Sequence, residues 1–296
     1  MYGIIMEKYQ LRRTKKQKTA FIEMLTTRYP GLRVEKTGLT SSRSIVYGDP
    51  DNAKVVFTAH YDTVNTSLIP NIVTPDRPWI RYLNTLLVIA PMVIVTVLAI
   101  RLAEMLGAAE DAQRFIGLGV YWLMFMLTFF AGKPSAHTAN DNTSGVLALC
   151  RMMDMLPPDS GAAFVFFDNE EYGCLGSGAF YKAHKQAMQN RLVFNLDCIG
   201  DGDNILLVTS KKLPAEYAEK LRAAFTENEA FSVRIESAKK VNYTSDQKHF
   251  PISVAAAAMK KKKWLGLYMD RIHTSKDTIC APENIEYVVE CARKMV

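Results

Sequence analysis

Cysteine is scarce and irregularly placed in this chain. Its 296 residues include five cysteines, and no two of them form a CxxC pair. A chain of this length needs no disulfide framework, which excludes the small secreted proteins that depend on one. We therefore expect all five thiols to be reduced.

An excess of charge of one sign is also missing. Charged residues make up 22% and hydrophobic residues 49% of the sequence, and the formal net charge is +6. This composition is typical of globular proteins and excludes a disordered or low-complexity chain. The positive excess is too small to indicate a nucleic-acid surface, so we predict no nucleic-acid partner. The composition leaves the oligomeric state open.

The first residues of the sequence do not show the pattern of a cleavable secretory leader. The chain begins MYGIIMEKYQLRRTKKQK, in which most of the basic residues follow a short apolar patch. Secretory leaders have the opposite order, with basic residues before a longer apolar stretch. We expect the N-terminal segment to stay in the cytosol.

Two long uncharged runs interrupt the middle of the chain. Residues 82–100 and 115–132 contain no charged side chain. The residues that bound the two runs are all basic: Arg81, Arg101, Arg114 and Lys133. Each run is long enough to cross a bilayer core of about 30 Å as an α-helix. A buried or lid-forming hairpin of a soluble protein is the alternative, but charges at both ends of both runs favour a membrane hairpin.

This interpretation divides the chain into three parts. Residues 1–78 and 134–296 are expected to form one globular domain, and residues 79–133 an inserted transmembrane hairpin of two helices. The polar stretch 101–114 is expected to be an exposed loop. Basic residues are almost balanced between the two ends of the hairpin, so the missing leader decides its orientation. Both globular portions are therefore predicted to face the cytoplasm.

Outside the insert, short apolar runs alternate with helical stretches. The predicted strands are SIVYG near Ile45, KVVFTAH ending at His60, AAFVFFD ending at Asp168, RLVFNLD ending at Asp197, NILLVTS near Leu206 and PISVAAAA near Val254. The predicted helices cover residues 15–28, 144–155, 177–189, 214–225 and 282 to the end. This alternation indicates an α/β protein, a three-layer α/β/α domain with a mostly parallel, mixed central sheet.

The first metal-capable cluster closes a predicted strand, at the edge of the sheet where α/β proteins bind ligands. His60 and Asp62 lie two residues apart, so both point to one side of an extended chain. A carboxylate in that place can orient an imidazole toward a metal. A histidine exposed at a strand end is the ordinary alternative.

Carboxylates follow in three further places. Asp141 precedes a predicted helix, which it could cap, or it could bridge two cations. Glu170 and Glu171 come directly after a hydrophobic strand, where their repulsion is costly without a cation unless the turn is solvated. Asp197 ends an apolar strand, so we expect it to be partly buried and to need a partner.

His273, in the late segment RIHTSKDT, completes the set of candidate ligands. In chain order the candidates are His60, Asp141, Glu171, Asp197 and His273. Two imidazoles and three carboxylates suit zinc. With one bridging carboxylate, they would hold two zinc ions about 3.5 to 4 Å apart.

The ordered motifs HYD, NDNTSG, NEEYGCLGS, NLDCIG and HTSKDT resemble the di-zinc aminopeptidases of metallopeptidase family twenty-eight, which also includes glutamate carboxypeptidase. The resemblance covers nearly all of the chain outside the insert. It implies that His60 and Asp197 bind one zinc and that Glu171 and His273 bind the other. Asp141 would bridge the two ions.

The same resemblance implies a mechanism for peptide hydrolysis. Glu170 would be the general base that takes a proton from the attacking water and returns it to the leaving amine. Asp62 would orient His60. The interval between His60 and Asp141 is long for the family, because the apolar insert lies inside it. An even number of membrane crossings is therefore required if both residues share one site.

The implied function is a membrane-anchored zinc exopeptidase acting on a peptide, in first place an aminopeptidase. Amino- versus carboxypeptidase activity and the preferred side chain stay open. A non-catalytic membrane protein on the same fold and a single-zinc acyltransferase of the glutaminyl cyclase type are the alternatives. Zinc stoichiometry separates the three functions, since they require two ions, none and one, respectively.

Overall fold

The computed structural model describes residues 1–66, 72–130, 132, 135–157 and 159–296. The strands in these ranges are β1 Arg33–Thr37, β2 Ser42–Tyr47, β3 Val55–His60, β4 Ala162–Phe167, β5 Leu192–Leu196, β6 Asn204–Thr209, β7 Ser232–Ser237, β8 Ser253–Lys262 and β9 Gly266–Tyr268. The α-helices are α1 Tyr2–Lys8, α2 Lys15–Arg28, α3 Pro78–Met105, α4 Glu110–Phe130, α5 Gly145–Met155, α6 Leu175–Ala183, α7 Lys185–Met188, α8 Ala215–Ala224 and α9 Pro282–Ala292. Lys133, predicted to close the second apolar run and the insert, lies outside the described residues.

The strands form one mixed sheet in the order β1-β2-β4-β3-β5-β8-β6-β7, with β9 paired to β8. The central strands β4, β3, β5 and β8 run parallel, and antiparallel pairings flank them on both sides. Every residue of β3 is buried, as is typical of a strand covered on both faces. The predicted α/β fold with a mixed central sheet is confirmed.

Apolar side chains pack on both faces of this sheet. In β3, Val55, Phe57 and Ala59 belong to the core that α2, α5 and α9 cover. Val56 points the other way, into the core beneath α6 and α7. The alternation is the two-residue period of a strand, and it places helices on both sides of β3.

The connection between the two apolar helices differs from the prediction. We expected residues 101–114 to be an exposed loop, but α3 and α4 extend into this stretch from both sides. Ion pairs one helical turn apart stabilise the extensions, Arg101 with Glu104 at 2.8 Å and Arg114 with Glu110 at 2.6 Å. The predicted loop is therefore wrong for most of its length.

The helix predicted over residues 177–189 is also divided in the structure. It forms α6 and α7, which meet at His184, where the backbone torsions are φ −104° and ψ 23°. The ring of His184 lies between two carboxylates from other parts of the chain, with Nε2 2.8 Å from Glu35 and Nδ1 2.8 Å from Asp51. These contacts hold the residue at the break between the helices.

The apolar surface of α3 is largely uncovered in the described part of the chain. This helix is long and apolar enough to cross a membrane, with a mean hydropathy of 2.6 over its most apolar stretch, of which 11% is buried. α4 packs closely against it, since a Cβ at Gly117 would lie 2.7 Å from Cδ1 of Ile100. The two helices therefore bury small patches against each other and leave most of their other described apolar side chains at least partly exposed.

Candidate metal centre

The candidate site lies at the carboxyl ends of three neighbouring strands. His60 is the last residue of β3, and Asp197 directly follows β5. Glu170 and Glu171 follow β4, which pairs with the other side of β3. Because parallel strands end at the same edge of a sheet, this strand order brings the four side chains together.

His60 is held with one ring nitrogen toward two carboxylates. Its Nδ1 lies 3.1 Å from the backbone oxygen of Asp62, which can only accept a hydrogen bond. Nδ1 therefore carries the proton in the neutral ring, and the lone pair is on Nε2. Nε2 lies 3.2 Å from Oδ1 of Asp141 and 3.5 Å from Oδ1 of Asp197. Facing two anionic oxygens, Nε2 either carries a proton or gives its lone pair to a cation held between them.

His273 repeats this arrangement on the other side of Asp141. Its Nε2 lies 2.9 Å from Oδ2 of Asp141 and 3.1 Å from Oε2 of Glu171. The ligand atoms form two groups, each within 4.8 Å, which are His60, Asp141 and Asp197 in one and Asp141, Glu171 and His273 in the other. All five predicted ligand residues thus converge, and Asp141 belongs to both groups.

The carboxylates of the cluster favour positive charge at both imidazoles. Burial lowers the pKa of His60, but the nearby carboxylates of Asp141 and Asp197 outweigh it and raise the pKa well above its ordinary value. The pKa of His273 is raised in the same way, by Glu171 and Asp141 against burial. Oδ1 of Asp197 is buried and meets no hydrogen-bond donor in good geometry among the described residues. The residues present fit metal cations in both groups.

Asp141 lies in an irregular turn, Ala139–Ser144, that other polar groups fix in place. Its backbone N–H and that of Asn140 donate to the buried carboxylate of Asp277, at 3.0 and 2.8 Å. Burial and the nearby charge of Asp141 raise the pKa of Asp277 to about 7. Asn142 joins the turn to β5, since its Nδ2 donates to the backbone oxygen of Leu196 at 2.9 Å. Asp141 therefore reaches the two groups of candidate ligands, called the metal groups below, from a turn held by hydrogen bonds rather than from a helix cap.

Glu170 lies beside the metal groups but belongs to neither. Its backbone N–H donates to Oδ1 of Asp62 at 3.0 Å, and the thiol of Cys174 donates to its Oε1 at 3.1 Å. Burial raises the pKa of Glu170 well above its ordinary value; the charge of His60 opposes this rise and that of Asp246 adds to it. A carboxylate with a raised pKa next to a metal group is suited to accept and return a proton.

A buried arginine behind the site was not anticipated from the sequence. Arg12 is fully buried, and its Nη2 donates to Oγ1 of Thr143, within the Asp141 turn, at 3.1 Å. Burial lowers its pKa to about 10, while the charges of Asp62 and Asp141 oppose that change. In the sequence Arg12 is one of several basic residues in LRRTKKQK, so composition gave no signal that this one is buried.

A cleft of about 270 Å³ opens onto the metal groups. Glu170 and four of the predicted ligand residues line its floor, namely His60, Asp141, Asp197 and His273. Tyr243 lines it as well, and its buried hydroxyl donates to the backbone oxygen of Asp197 at 3.1 Å. The wall includes Arg81 and Asn242, which the sequence did not identify as site residues. The metal groups are therefore accessible to a small ligand.

Two sequence comparisons relate this chain to known peptidases. A family model described as Peptidase family M28 matches residues 120–294. Aminopeptidase YwaD of Bacillus subtilis (strain 168) is 30% identical over 83 residues, which are 26% of this chain and 18% of that protein.

Two solved structures share the fold at low sequence identity. The LapA aminopeptidase of Legionella pneumophila has a TM-score of 0.54 at 14% identity, with 98% of this chain covering 65% of the LapA chain. The TET1 peptidase of Pyrococcus horikoshii has a TM-score of 0.53 at 11% identity, with coverage of 99% and 98%. This chain thus spans less than two thirds of LapA and a much smaller part of YwaD.

Proposed function

Because the chain belongs to peptidase family M28, we propose that it is a zinc-dependent aminopeptidase anchored in a membrane by its inserted hairpin. The observation that carries the proposal is the sharing of Asp141 between two groups of metal-capable side chains. Names of similar proteins support aminopeptidase activity, since both YwaD and LapA are called aminopeptidases. The substrate would be a peptide that enters the cleft above the two groups.

The donor set supports zinc as the metal. His60 and Asp197 would hold one ion, and Glu171 and His273 would hold a second. Asp141 would contribute one carboxylate oxygen to each, in keeping with its contacts to both imidazoles. Imidazole nitrogens and carboxylate oxygens are ligands that zinc prefers. Bound zinc supplies Lewis acidity that polarises a peptide carbonyl and lowers the pKa of water.

Glu170 would perform the proton transfers of hydrolysis. It would accept a proton from the attacking water and later donate it to the leaving amine. Two contacts keep it in place for both steps, the Asp62 carboxylate at its backbone N–H and the Cys174 thiol at Oε1. Asp62 would also orient His60, whose Nδ1 lies 3.6 Å from Oδ1 of Asp62.

The membrane anchor would consist of α3 and α4 as two spans. Residues 1–78 and 134–296 would form the catalytic domain, and residues 79–133 the insert, with residues 82–100 and 115–132 in contact with lipid. His60 precedes the insert and Asp141 follows it, yet their side chains lie 3.2 Å apart. Two crossings return the chain to the side from which it left. We place the catalytic domain on the cytoplasmic side.

Hydrolysis by detergent-purified protein tests the proposal. We expect zinc-dependent cleavage of Leu-p-nitroanilide and two zinc ions per chain. Glu170→Gln should lower kcat by about 10²- to 10⁴-fold at unchanged zinc content, because the amide keeps the shape of the side chain and cannot accept the proton. The exposed Glu216→Gln is the matched control and should keep full activity.

The outcomes separate the alternative functions. Full activity of Glu170→Gln would contradict the assignment of the base. One zinc ion per chain with no peptide cleavage would favour an acyltransferase of the glutaminyl cyclase type. No bound zinc would favour a non-catalytic binding protein.

A further inference from the structure

Several contacts hold residues 73–80, the segment at which the insert leaves the catalytic domain. We call this segment the root of the insert. Val73, just before α3, pairs with Met269 through two backbone hydrogen bonds of 2.9 Å. The backbone N–H of Asn242 donates to the backbone oxygen of Pro75 at 3.0 Å. These contacts attach the segment before α3 to two different parts of the domain.

Side chains strengthen the same root. Nη1 of Arg234 donates to both carboxylate oxygens of Asp76, at 2.7 and 2.8 Å, and Oδ2 also accepts the backbone N–H of Leu267 at 3.2 Å. In the first turn of α3, Ile80 packs in a buried apolar cluster with Leu265 and Tyr268. The first turn of α3 is therefore held in a fixed position relative to the cleft.

This root places Arg81 in the wall of the cleft that opens onto the metal groups. Nη1 of Arg81 donates to Oδ1 of Asn242 at 3.2 Å, and both residues line the cleft. Asn242 is itself fixed by its backbone bond to Pro75. The guanidinium is thus positioned by the body of the enzyme, although it is part of the insert.

The charge of Arg81 is not balanced by a neighbouring acid. Among the described residues, the guanidinium of Arg81 forms no ion pair, and Asn242 is its single hydrogen-bond partner. Arg81 is also the single lysine or arginine among the described residues that line the cleft. A guanidinium with free N–H groups binds carboxylates strongly, because its planar fork matches two carboxylate oxygens.

We propose that Arg81 binds a carboxylate of the substrate, so that the insert selects short peptides whose negative group reaches the first turn of α3. The proposal rests on the function proposed above and names its substrate class. The cleft volume of about 270 Å³ is at the lower end of ligand pockets, which suits one or two residues beyond the metal groups. The carboxylate is either the C-terminus of a dipeptide or an acidic side chain.

A panel of three peptides in neutral detergent tests the proposal. Leu-Leu carries a C-terminal carboxylate, Leu-Leu-amide carries none, and Leu-Asp-amide carries one on a side chain. We expect Arg81→Gln to lower kcat/KM about tenfold to hundredfold for Leu-Leu or for Leu-Asp-amide, because a charge-assisted pair is lost. The peptide that loses activity identifies the source of the carboxylate, and Leu-Leu-amide should be cleaved as before.

Matched variants make the comparison specific. Arg77→Gln removes an exposed arginine one helical turn away that does not line the cleft, and it should leave all three rates unchanged. Arg81→Lys keeps the charge without the planar fork, so it should restore part of the loss. An equal loss for all three peptides, or no loss at all, would overturn the proposal.

A binding measurement separates this proposal from the proposed function. Calorimetric titration of Glu170→Gln with Leu-Leu and Leu-Asp-amide, with and without Arg81→Gln, measures carboxylate binding while hydrolysis is slow. We expect about tenfold weaker binding of one of these peptides in the double variant. Equal affinities would overturn the role of Arg81 even if the enzyme cleaves peptides. An effect of Arg81→Gln that arises only in nanodiscs containing phosphatidylglycerol would assign Arg81 to lipid headgroups instead.

Discussion

Oδ1 of Asp62 accepts the backbone N–H of Glu170 at 3.0 Å. Oδ2 of the same carboxylate accepts the backbone N–H of Glu171 at 3.3 Å, and the ring of His60 lies beside it. One buried side chain therefore fixes the backbone of the proposed base and of one proposed ligand, and the backbone oxygen of the same residue faces Nδ1 of the proposed ligand His60 at 3.1 Å. A change of the Asp62 side chain should therefore act first on Glu170 and Glu171.

We expect Asp62→Asn to lower zinc affinity and kcat/KM about 10- to 100-fold. The amide would turn an NH₂ group toward one of the two backbone N–H donors, which displaces Glu170 or Glu171. Zinc titration with a chelating competitor and Leu-p-nitroanilide kinetics measure the two effects. Asp51→Asn, which alters an exposed partner of His184, is the control and should have the wild-type zinc affinity. Unchanged zinc affinity in Asp62→Asn would show that this carboxylate does not organise the site.

Asp277 should be necessary for the stability of the turn that carries Asp141. Its two oxygens accept the backbone N–H groups of Asn140 and Asp141, so an asparagine can satisfy one donor and must oppose the other. We expect Asp277→Asn to cost about 1 to 3 kcal/mol of unfolding free energy and to lower the Tm. Differential scanning fluorimetry measures this change, with the exposed Asp159→Asn as control. A wild-type Tm for Asp277→Asn would contradict the bracing role.

His184 should give stability that depends on pH. Burial lowers its pKa, but hydrogen bonds with Glu35 and Asp51 outweigh it, so the pKa in the folded state lies above the ordinary value of 6.5. Its contribution is complete below that ordinary value and is lost as pH rises through the folded-state pKa. The Tm difference between the wild type and His184→Gln should therefore be larger at about pH 6 than at about pH 9. The exposed His137→Gln is the control, and a difference that grows toward alkaline pH would contradict the prediction.

Membrane topology can be measured with introduced cysteines, because all five native cysteines are buried. Leu39→Cys and Lys211→Cys place exposed thiols in the portions before and after the insert, and Ala109→Cys places one between α3 and α4. With a membrane-impermeant maleimide, we expect the first two to be labelled from one side of sealed vesicles and the third from the other. Labelling of Leu39→Cys and Lys211→Cys from opposite sides would exclude two spans.

Much of the sheet could be predicted because its central strands are buried on both faces. The runs that form β3, β4 and β5 are continuously apolar, and each ends in a polar residue at a turn. The outer strands β1 and β7 were missed because they are rich in charged and polar residues, with most side chains partly or fully exposed. Such edge strands are defined by pairing with a neighbour, and local hydrophobicity does not reveal that pairing.

Three of the five predicted ligand residues end or follow strands, and Asp141 and His273 were predicted from the motifs that contain them. His60, Glu171 and Asp197 end or follow buried strands, where a polar side chain stands out against apolar neighbours. Arg12 and Arg81 were not recognised as site residues because arginines near the start of helices are ordinary in sequence. Their positions depend on contacts with Thr143 and Asn242, which lie more than a hundred residues away in the chain.

By itself, the sequence determined the buried central strands, the two apolar runs and the five side chains capable of binding metal, because these features depend on local composition and on the chemistry of single residues. The tertiary structure alone decided that Asp141 faces both imidazoles and that Arg81 of the insert enters the cleft. These contacts depend on the order of strands in the sheet and on the path of the chain at the root of α3. Neither contact can be inferred from the residues that adjoin Asp141 or Arg81 in the sequence.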